Sequence, residues 1–257
     1  MTIPDLTLAT WLILTAAAVL VGVSKTAIPG INTLSIAAFA AVLPARSSTG
    51  ALLLLLLIGD IFALLAYRKH AHWPTLIRLI PAVIAGVALG ALFLAFADDG
   101  WVRRVIGGIL LLVVVVTIWQ RSWKPAERAS TVGGPPAGTS QLASVSYGTL
   151  GGFTTMVANA GGPVMSMYFL AARFPVHAFL GTAAWFFAVI NFVKLPISIG
   201  LGLITPELTL LALYLAPAVV VGALLGRWIA ARIPQHVFDR AVIVCTVLGA
   251  TYLLVAP

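Results

Sequence analysis

Charge is what this chain has least of. Only 9% of its 257 residues are Asp, Glu, Lys or Arg, against 61% hydrophobic, and mean hydropathy is +1.09. That leaves too little polar surface to cover a water-soluble globule. Cysteine is nearly missing as well. The single Cys245 excludes an intrachain disulfide and any cysteine cluster for a metal. The four histidines show no zinc spacing, and neither His-Glu-x-x-His nor a histidine–carboxylate cluster is present. The reading is therefore no metal, no cofactor and no enzyme. A basic leader is absent too: Met1 to Val23 carries Asp5 and no Lys or Arg, so a cleaved signal peptide is not expected.

What is present is a series of apolar runs long enough to cross about 30 Å of hydrocarbon. They predict an all-α polytopic integral membrane protein. Six full spans are expected: Thr49 to Tyr67, Leu76 to Ala97, Trp101 to Trp119, Ala178 to Leu203, Leu208 to Ala231 and Val237 to Val255. Two further elements, Leu6 to Val42 and Ser144 to Ala172, are broken. The first is interrupted over Ser24 to Asn32 and the second over Thr154 to Pro163, by polar, Gly and Pro residues. Their limbs are expected to have about 15 residues or fewer, roughly 20 Å, which favours re-entrant hairpins. Arg121 to Gln141, rich in Pro, Gly, Ser and Thr, is the clear hydrophilic linker.

That linker separates two halves that resemble each other. At an offset of 131, Gly30, Ser35, Pro44, Gly50 and Asp60 meet Gly161, Ser166, Pro175, Gly181 and Asn191. At an offset of 136, Leu79, Pro81, Gly86, Gly90 and Arg104 meet Leu215, Pro217, Gly222, Gly226 and Arg240. Ordered prolines and glycines make chance agreement a poor explanation. The expected domains are a first repeat over 1–120, a cytoplasmic linker over 121–141 and a second repeat over 142–257, each repeat being one broken hairpin plus three transmembrane helices.

If both broken elements return to their starting side, one face carries Arg68, Lys69, Arg78, Arg121, Lys124, Arg128, Arg173, Arg227, Arg232 and Arg240. The other carries Arg46, Arg103 and Arg104. The positive-inside rule then puts both termini outside the cytoplasm, and an odd number of crossings per half makes the repeats inverted. Two short full crossings in place of each hairpin give the same sidedness. The basic face also accounts for the net charge of +8 without nucleic-acid binding. Trp11, Trp73, Trp101, Trp119, Trp123 and Trp228 lie toward span ends and read as an aromatic belt.

Gly/Pro-interrupted segments at matching places in two halves point to a transporter's binding site. Asn32 or Thr33 is expected to cap the half-helix after the first break, and Pro163 suits the first turn of the one after the second. Two helix starts converging near mid-membrane would offer unpaired N–H groups and positive dipole ends to an anion. Gly30, Gly161 and Gly162 serve either that approach or plain close packing. Lys25, in the first break, is a substrate counter-charge or a snorkelling lysine. Its counterparts around Thr154 and Thr155 are uncharged. The candidate substrate-binding set is Ser24, Lys25, Thr26, Gly30, Asn32, Asn159, Gly161 and Gly162. Asp60, Asn191 and Lys194, the last three residues after Asn191, form a candidate coupling or charge-pair set, or a structural one. Arg46 and His177 correspond before the spans that follow each break; headgroup contacts or anion attraction at two mouths are the roles expected. His70 and His72 read as an interfacial loop.

Gly22-Val-Ser-Lys25-Thr-Ala-Ile-Pro29-Gly30, Pro44-x-Arg46-x-x-x-Gly50, Ile58-Gly-Asp60 and the repeated Pro81/Gly86/Gly90 and Pro217/Gly222/Gly226 blocks resemble the sulfite exporter family TauE/SafE. The resemblance implies a multi-pass bacterial inner-membrane permease that exports sulfite or small organosulfonates such as sulfoacetate. Its partners would be a small anion and the lipid bilayer, with a homo-oligomer left open. The alternative is a proton- or cation-coupled carrier of another small solute using Asp60.

Overall fold

The computed structural model describes residues 6–102, 104–105, 108–109, 115, 141–172, 174–234, 236–238, 240–241 and 244. The spans expected over Trp101 to Trp119 and Val237 to Val255, and the Arg121 to Gln141 linker, fall mostly outside them, as do Arg103, Trp119, Trp123, Arg173 and Cys245. Among the described residues all regular structure is helical. The elements are α1 (Leu8–Thr26), α2 (Asn32–Val42), α3 (Ala45–Tyr67), α4 (Trp73–Phe96), α5 (Gln141–Ala158), α6 (Gly161–Ala171), α7 (Val176–Gly200) and α8 (Pro206–Ala230), with short 3-10 turns at Pro29–Ile31 and Arg68–His70. Five of the helices, α1, α3, α4, α7 and α8, are long and apolar enough to cross a bilayer. The chain is thus an all-α polytopic membrane protein.

Helix starts follow local chemistry. Pro44 and Pro175 precede α3 and α7, where their fixed φ and missing N–H suit the helix entrance. Thr205 caps α8 by accepting from the Leu208 N–H, with Pro206 in the first turn. These entrances place α3, α4, α7 and α8 within four residues of the spans read from hydropathy.

Both broken elements are helical hairpins. Ser35 Oγ of α2 donates to the Ala17 carbonyl of α1 at 3.0 Å, so α2 runs back along α1. Likewise Ser144 Oγ and Tyr168 Oη lie 3.1 Å apart, which folds α6 back onto α5. The first break follows from Pro29, which cannot continue the helix and leaves Ile28 extended. At the second, Asn159 takes a left-handed φ of 53°, a conformation Asn tolerates, and its N–H closes α5 on the Thr155 carbonyl. One expectation is corrected. The first limbs have 19 and 18 residues, about 28 and 27 Å, and not 15 or fewer. The reason lies in Ser24 and Thr26, whose hydroxyls donate back to the Val21 and Gly22 carbonyls and keep the chain helical through the polar stretch. The second limbs, α2 and α6, have 11 residues each, about 16 Å.

The helices pack through glycine. A Cβ on Gly22 of α1 would collide with the Val219 carbonyl of α8, and one on Gly222 with the Val19 carbonyl. The same happens between α4 and α5, where Gly86 meets the Thr149 carbonyl and Gly152 the Val83 carbonyl. Each hairpin therefore lies against a helix of the opposite half, at the backbone-to-backbone distance that small residues permit in membranes. Polarity is arranged as in a bilayer. Leu8, Ile77, Ile84, Phe96, Phe192 and Leu213 face outward, whereas Asp60, Asn191 and Lys194 are buried to 2% exposure or less.

Candidate functional site

The two hairpin tips meet. Asn32 Nδ2, at the start of α2, donates to the Asn159 carbonyl at 3.1 Å, and a Cβ on Gly162 would stand 3.2 Å from the Pro29 carbonyl. From this junction α2 returns along α1 and α6 along α5. Their N-cap residues, Ile31 and Ala160, make no side-chain capping bond. The caps expected from Asn32 and Thr33 do not form. Asn32 spends its amide on Asn159, and the Thr33 hydroxyl donates to the Gly30 carbonyl. Pro163 does fall in the first turn of α6.

A polar network crosses this junction. Lys25 Nζ of α1 meets Asp60 Oδ1 of α3 at 2.6 Å, with the Phe187 ring 4.7 Å from the ammonium. Asn191 Nδ2 of α7 donates to the other carboxylate oxygen at 2.6 Å. Lys194, one turn further along α7, turns away from Asp60. Its Nζ donates to the Thr155 carbonyl at 2.5 Å and to Asn159 Oδ1 at 2.6 Å, and reaches Thr155 Oγ1 and Asn191 Oδ1 at 3.4 Å. Asn159 Nδ2 continues the chain to the Thr49 carbonyl at 2.9 Å. Every charge here is held in low dielectric, where removing one partner leaves the other uncompensated.

A cavity opens at the same place, walled by Ser24, Lys25, Asn32, Asp60, Asn159, Gly162 and Asn191 among the candidates, with Pro29, Leu56, Thr155, Ala183, Ala184 and Phe187 completing it. The space open to the centre of a water-sized sphere is about 30 Å³, where one water needs on the order of 10–15 Å³. The cavity is compact. Thr26, Gly30, Gly161 and Lys194 are not on its wall. The Thr26 hydroxyl joins α1 to α8 through the Ala223 carbonyl at 2.9 Å, and Gly161 packs on Thr155 within its own hairpin. Gly30 accepts from Thr33 inside the 3-10 turn. Lys194 stands one layer behind, on Thr155, Asn159 and Asn191. Thr155 is the wall residue that the sequence set aside as an uncharged counterpart of Lys25.

The two mouth residues are structural clamps. Arg46 donates to the Leu94, Ala97 and Leu201 carbonyls at 2.7 to 3.2 Å, tying the start of α3 to the ends of α4 and α7. His177, at the start of α7, lies tilted at 48° and 5.3 Å from His70 and edge-on to Tyr67 at the end of α3. His72 bonds Thr75, and no group of His, Cys, Asp or Glu among the described residues could hold a metal.

Comparison with curated proteins and with solved structures gives no match. The family model described as sulfite exporter TauE/SafE matches residues 14–253, which includes both hairpin tips, the Lys25–Asp60 pair, Asn191 and Lys194. With a multi-pass helical architecture and a buried polar site where two broken elements meet, the chain belongs to the sulfite exporter TauE/SafE family of membrane transporters.

Proposed function

We propose that this transporter exports a small sulfur-containing anion, sulfite or an organosulfonate such as sulfoacetate, by alternating access around the cavity at the hairpin tips. One observation carries the reading: Lys25 on the wall, Lys194 one layer behind it and two side-chain-uncapped helix starts lie at a cavity whose wall, among the described residues, has a single carboxylate. Lys25 is the direct counter-charge, Ser24, Asn32 and Asn159 make the wall polar, and Gly162 allows close approach. The anion would compete with Asp60 for Lys25, so that loading opens one ion pair and forms another of similar strength. That keeps the exchange nearly balanced, as a carrier needs.

Halves 1–120 and 142–257 are read as inverted repeats joined by a cytoplasmic linker over 121–141. Support comes from reciprocal contacts at the 131-residue offset. Arg46 reaches Leu201 while its counterpart His177 reaches His70, and the equivalents Asp60 and Asn191 bond each other directly. The charge distribution supports both termini outside the cytoplasm, and the family supports an inner-membrane location. In that orientation, moving one negative charge outward gains about 2.3 kcal/mol per 100 mV, close to a fifty-fold gradient at about 1.4 kcal/mol per tenfold. No coupling ion is then required.

The test is a thermal-shift and calorimetric series on purified protein with sulfite, sulfoacetate, taurine, thiosulfate, sulfate and chloride. Saturable stabilisation by sulfite or a sulfonate is expected. Stabilisation by cations or neutral solutes alone would transfer the site to Asp60 and to a proton- or cation-coupled carrier. Sidedness is tested separately by cysteines placed in the 121–141 linker of a Cys245→Ser protein. They should resist an impermeant thiol reagent added outside intact cells, and ready labelling would overturn the orientation.

A further inference from the structure

The charges around the cavity do not balance. The donors and acceptors fix the state of Lys194: Asn159 Nδ2 is committed to the Thr49 carbonyl and Asn191 Nδ2 to Asp60, so both amides turn their oxygens toward Lys194 Nζ. With the Thr155 carbonyl, the nitrogen faces three acceptor oxygens and the Thr155 hydroxyl. An ammonium has three donors and matches the three acceptor oxygens, while a neutral amine has two and would leave one of these buried oxygens without a donor. Lys25, 2.6 Å from a carboxylate, is charged for the same reason. Two cations and one anion leave an excess of one positive charge at a cavity shielded from water. Among the described residues, Asp60 is the only Asp or Glu on the cavity wall.

A second observation bears on what fills it. Asn32 lines the cavity and is 5% exposed, yet its Oδ1 has no hydrogen-bond partner among the described residues. An unpaired acceptor on a residue that lines the cavity disfavours a second charged oxygen beside it, and suits a hydroxyl better. One side of the site therefore opposes full charge on the ligand while the other demands one negative charge.

We infer that the site selects singly charged anions over doubly charged ones, with Lys194, acting through Asn159 and Asn191, as the residue that sets the charge rule. This rests on the anion reading above and narrows it: hydrogen sulfite and monovalent sulfonates are preferred to sulfite dianion, sulfate and doubly ionised sulfoacetate. A monoanion neutralises the site, whereas a dianion leaves one buried negative charge without a partner. The loaded site crosses uncharged and the empty site crosses with one positive charge, so membrane potential acts on the empty return and not on the loaded step.

Methanesulfonate and sulfate provide the test, because both are tetrahedral anions of five heavy atoms and differ by one charge. Calorimetric titration of the detergent-purified wild-type protein should give at least a tenfold tighter Kd for methanesulfonate. Asp60→Asn, which raises the excess to two, should shift the ratio at least tenfold toward sulfate. Asp60→Asn combined with Lys194→Gln returns the count to one and should restore the wild-type preference. The wild-type comparison needs no variant to fold. Wild-type affinities for the two ions within threefold of each other, or an unchanged ratio in folded Asp60→Asn, would overturn the charge rule and leave the anion site standing. Failure of methanesulfonate, sulfate and sulfite alike to bind the wild-type protein would overturn the anion reading, and this inference with it.

Discussion

In the first hairpin Lys25 stands on α1 and reaches Asp60 directly; in the second the corresponding turn of α5 offers Thr155, and the ammonium that meets it comes from Lys194 on α7. The backbones of the two hairpins follow the same course, with first limbs of 19 and 18 residues, second limbs of 11, and tips that bond each other. Chain path is governed by glycine and proline, which the halves share, whereas charge is governed by a few side chains, which they do not. Asp60 and Asn191 express the same contrast at one point. Equivalent residues brought into contact cannot both be carboxylates without repulsion, and the amide of Asn191 donates where a second carboxylate would oppose. The frame is symmetric and its electrostatics are not.

The largest effect expected tests the shared frame. Gly22→Leu and Gly86→Leu each drive a side chain into a backbone carbonyl of the opposite half, beyond the roughly 1–3 kcal/mol of ordinary overpacking. Both should abolish monodisperse protein on size exclusion in detergent. A well-folded Gly86→Leu beside a lost Gly22→Leu would break the equivalence of the two packings.

Next come the two lysines, which the comparison makes unlike sources of like charge. Lys194→Gln removes a cation that lies behind the wall, so affinity for a monovalent sulfonate should fall about tenfold, roughly 1.4 kcal/mol, as read by calorimetry. Lys194→Arg retains the charge, but its planar fork does not match three separate oxygens, and should rescue only in part. Full affinity in Lys194→Gln would confine the positive charge of the site to the first hairpin.

The smallest effects on anion affinity belong to Arg46 and His177, which act on stability. Arg46→Ala leaves three carbonyls without a charged donor, each such bond being worth on the order of 1.5–3 kcal/mol. His177→Ala loses ring contacts worth on the order of 0.5–1.5 kcal/mol. Thermal melting should therefore fall further for Arg46→Ala than for His177→Ala, in a manner insensitive to salt. A salt-dependent slowing of transport with unchanged melting would return Arg46 to the role of attracting anions at a mouth.

Much of the fold was legible because its determinants are local. Pro29 and the Gly161-Gly162-Pro163 run mark the breaks, and Pro44, Pro175 and Pro206 mark helix entrances within a few residues. Limb length is not legible in composition, because Ser24 and Thr26 look like loop formers yet each satisfies its hydroxyl on its own helix. Within the site, Lys25, Asp60 and Asn191 were visible as ionisable or amide residues inside apolar runs at matching offsets. The direction of Lys194 was not visible. Its spacing from Asn191 suggested a partner for Asp60, and only the approach of α5 to α7 decides that Thr155 and Asn159 take it instead. No rule of spacing within one helix carries that information. Arg46 was misjudged for the same reason, since its three carbonyl partners come from two other helices.

Export as proposed requires an anion to bind where the two hairpin tips meet, with Lys25 as its direct counter-charge. Calorimetric titration of sulfite into wild-type protein and into correctly folded Lys25→Ala tests it most directly. A lost charge-assisted hydrogen bond, on the order of 1.5–3 kcal/mol, predicts affinity weaker by roughly ten- to a hundred-fold. Equal affinity in the two proteins would contradict the claim and remove Lys25 from the site.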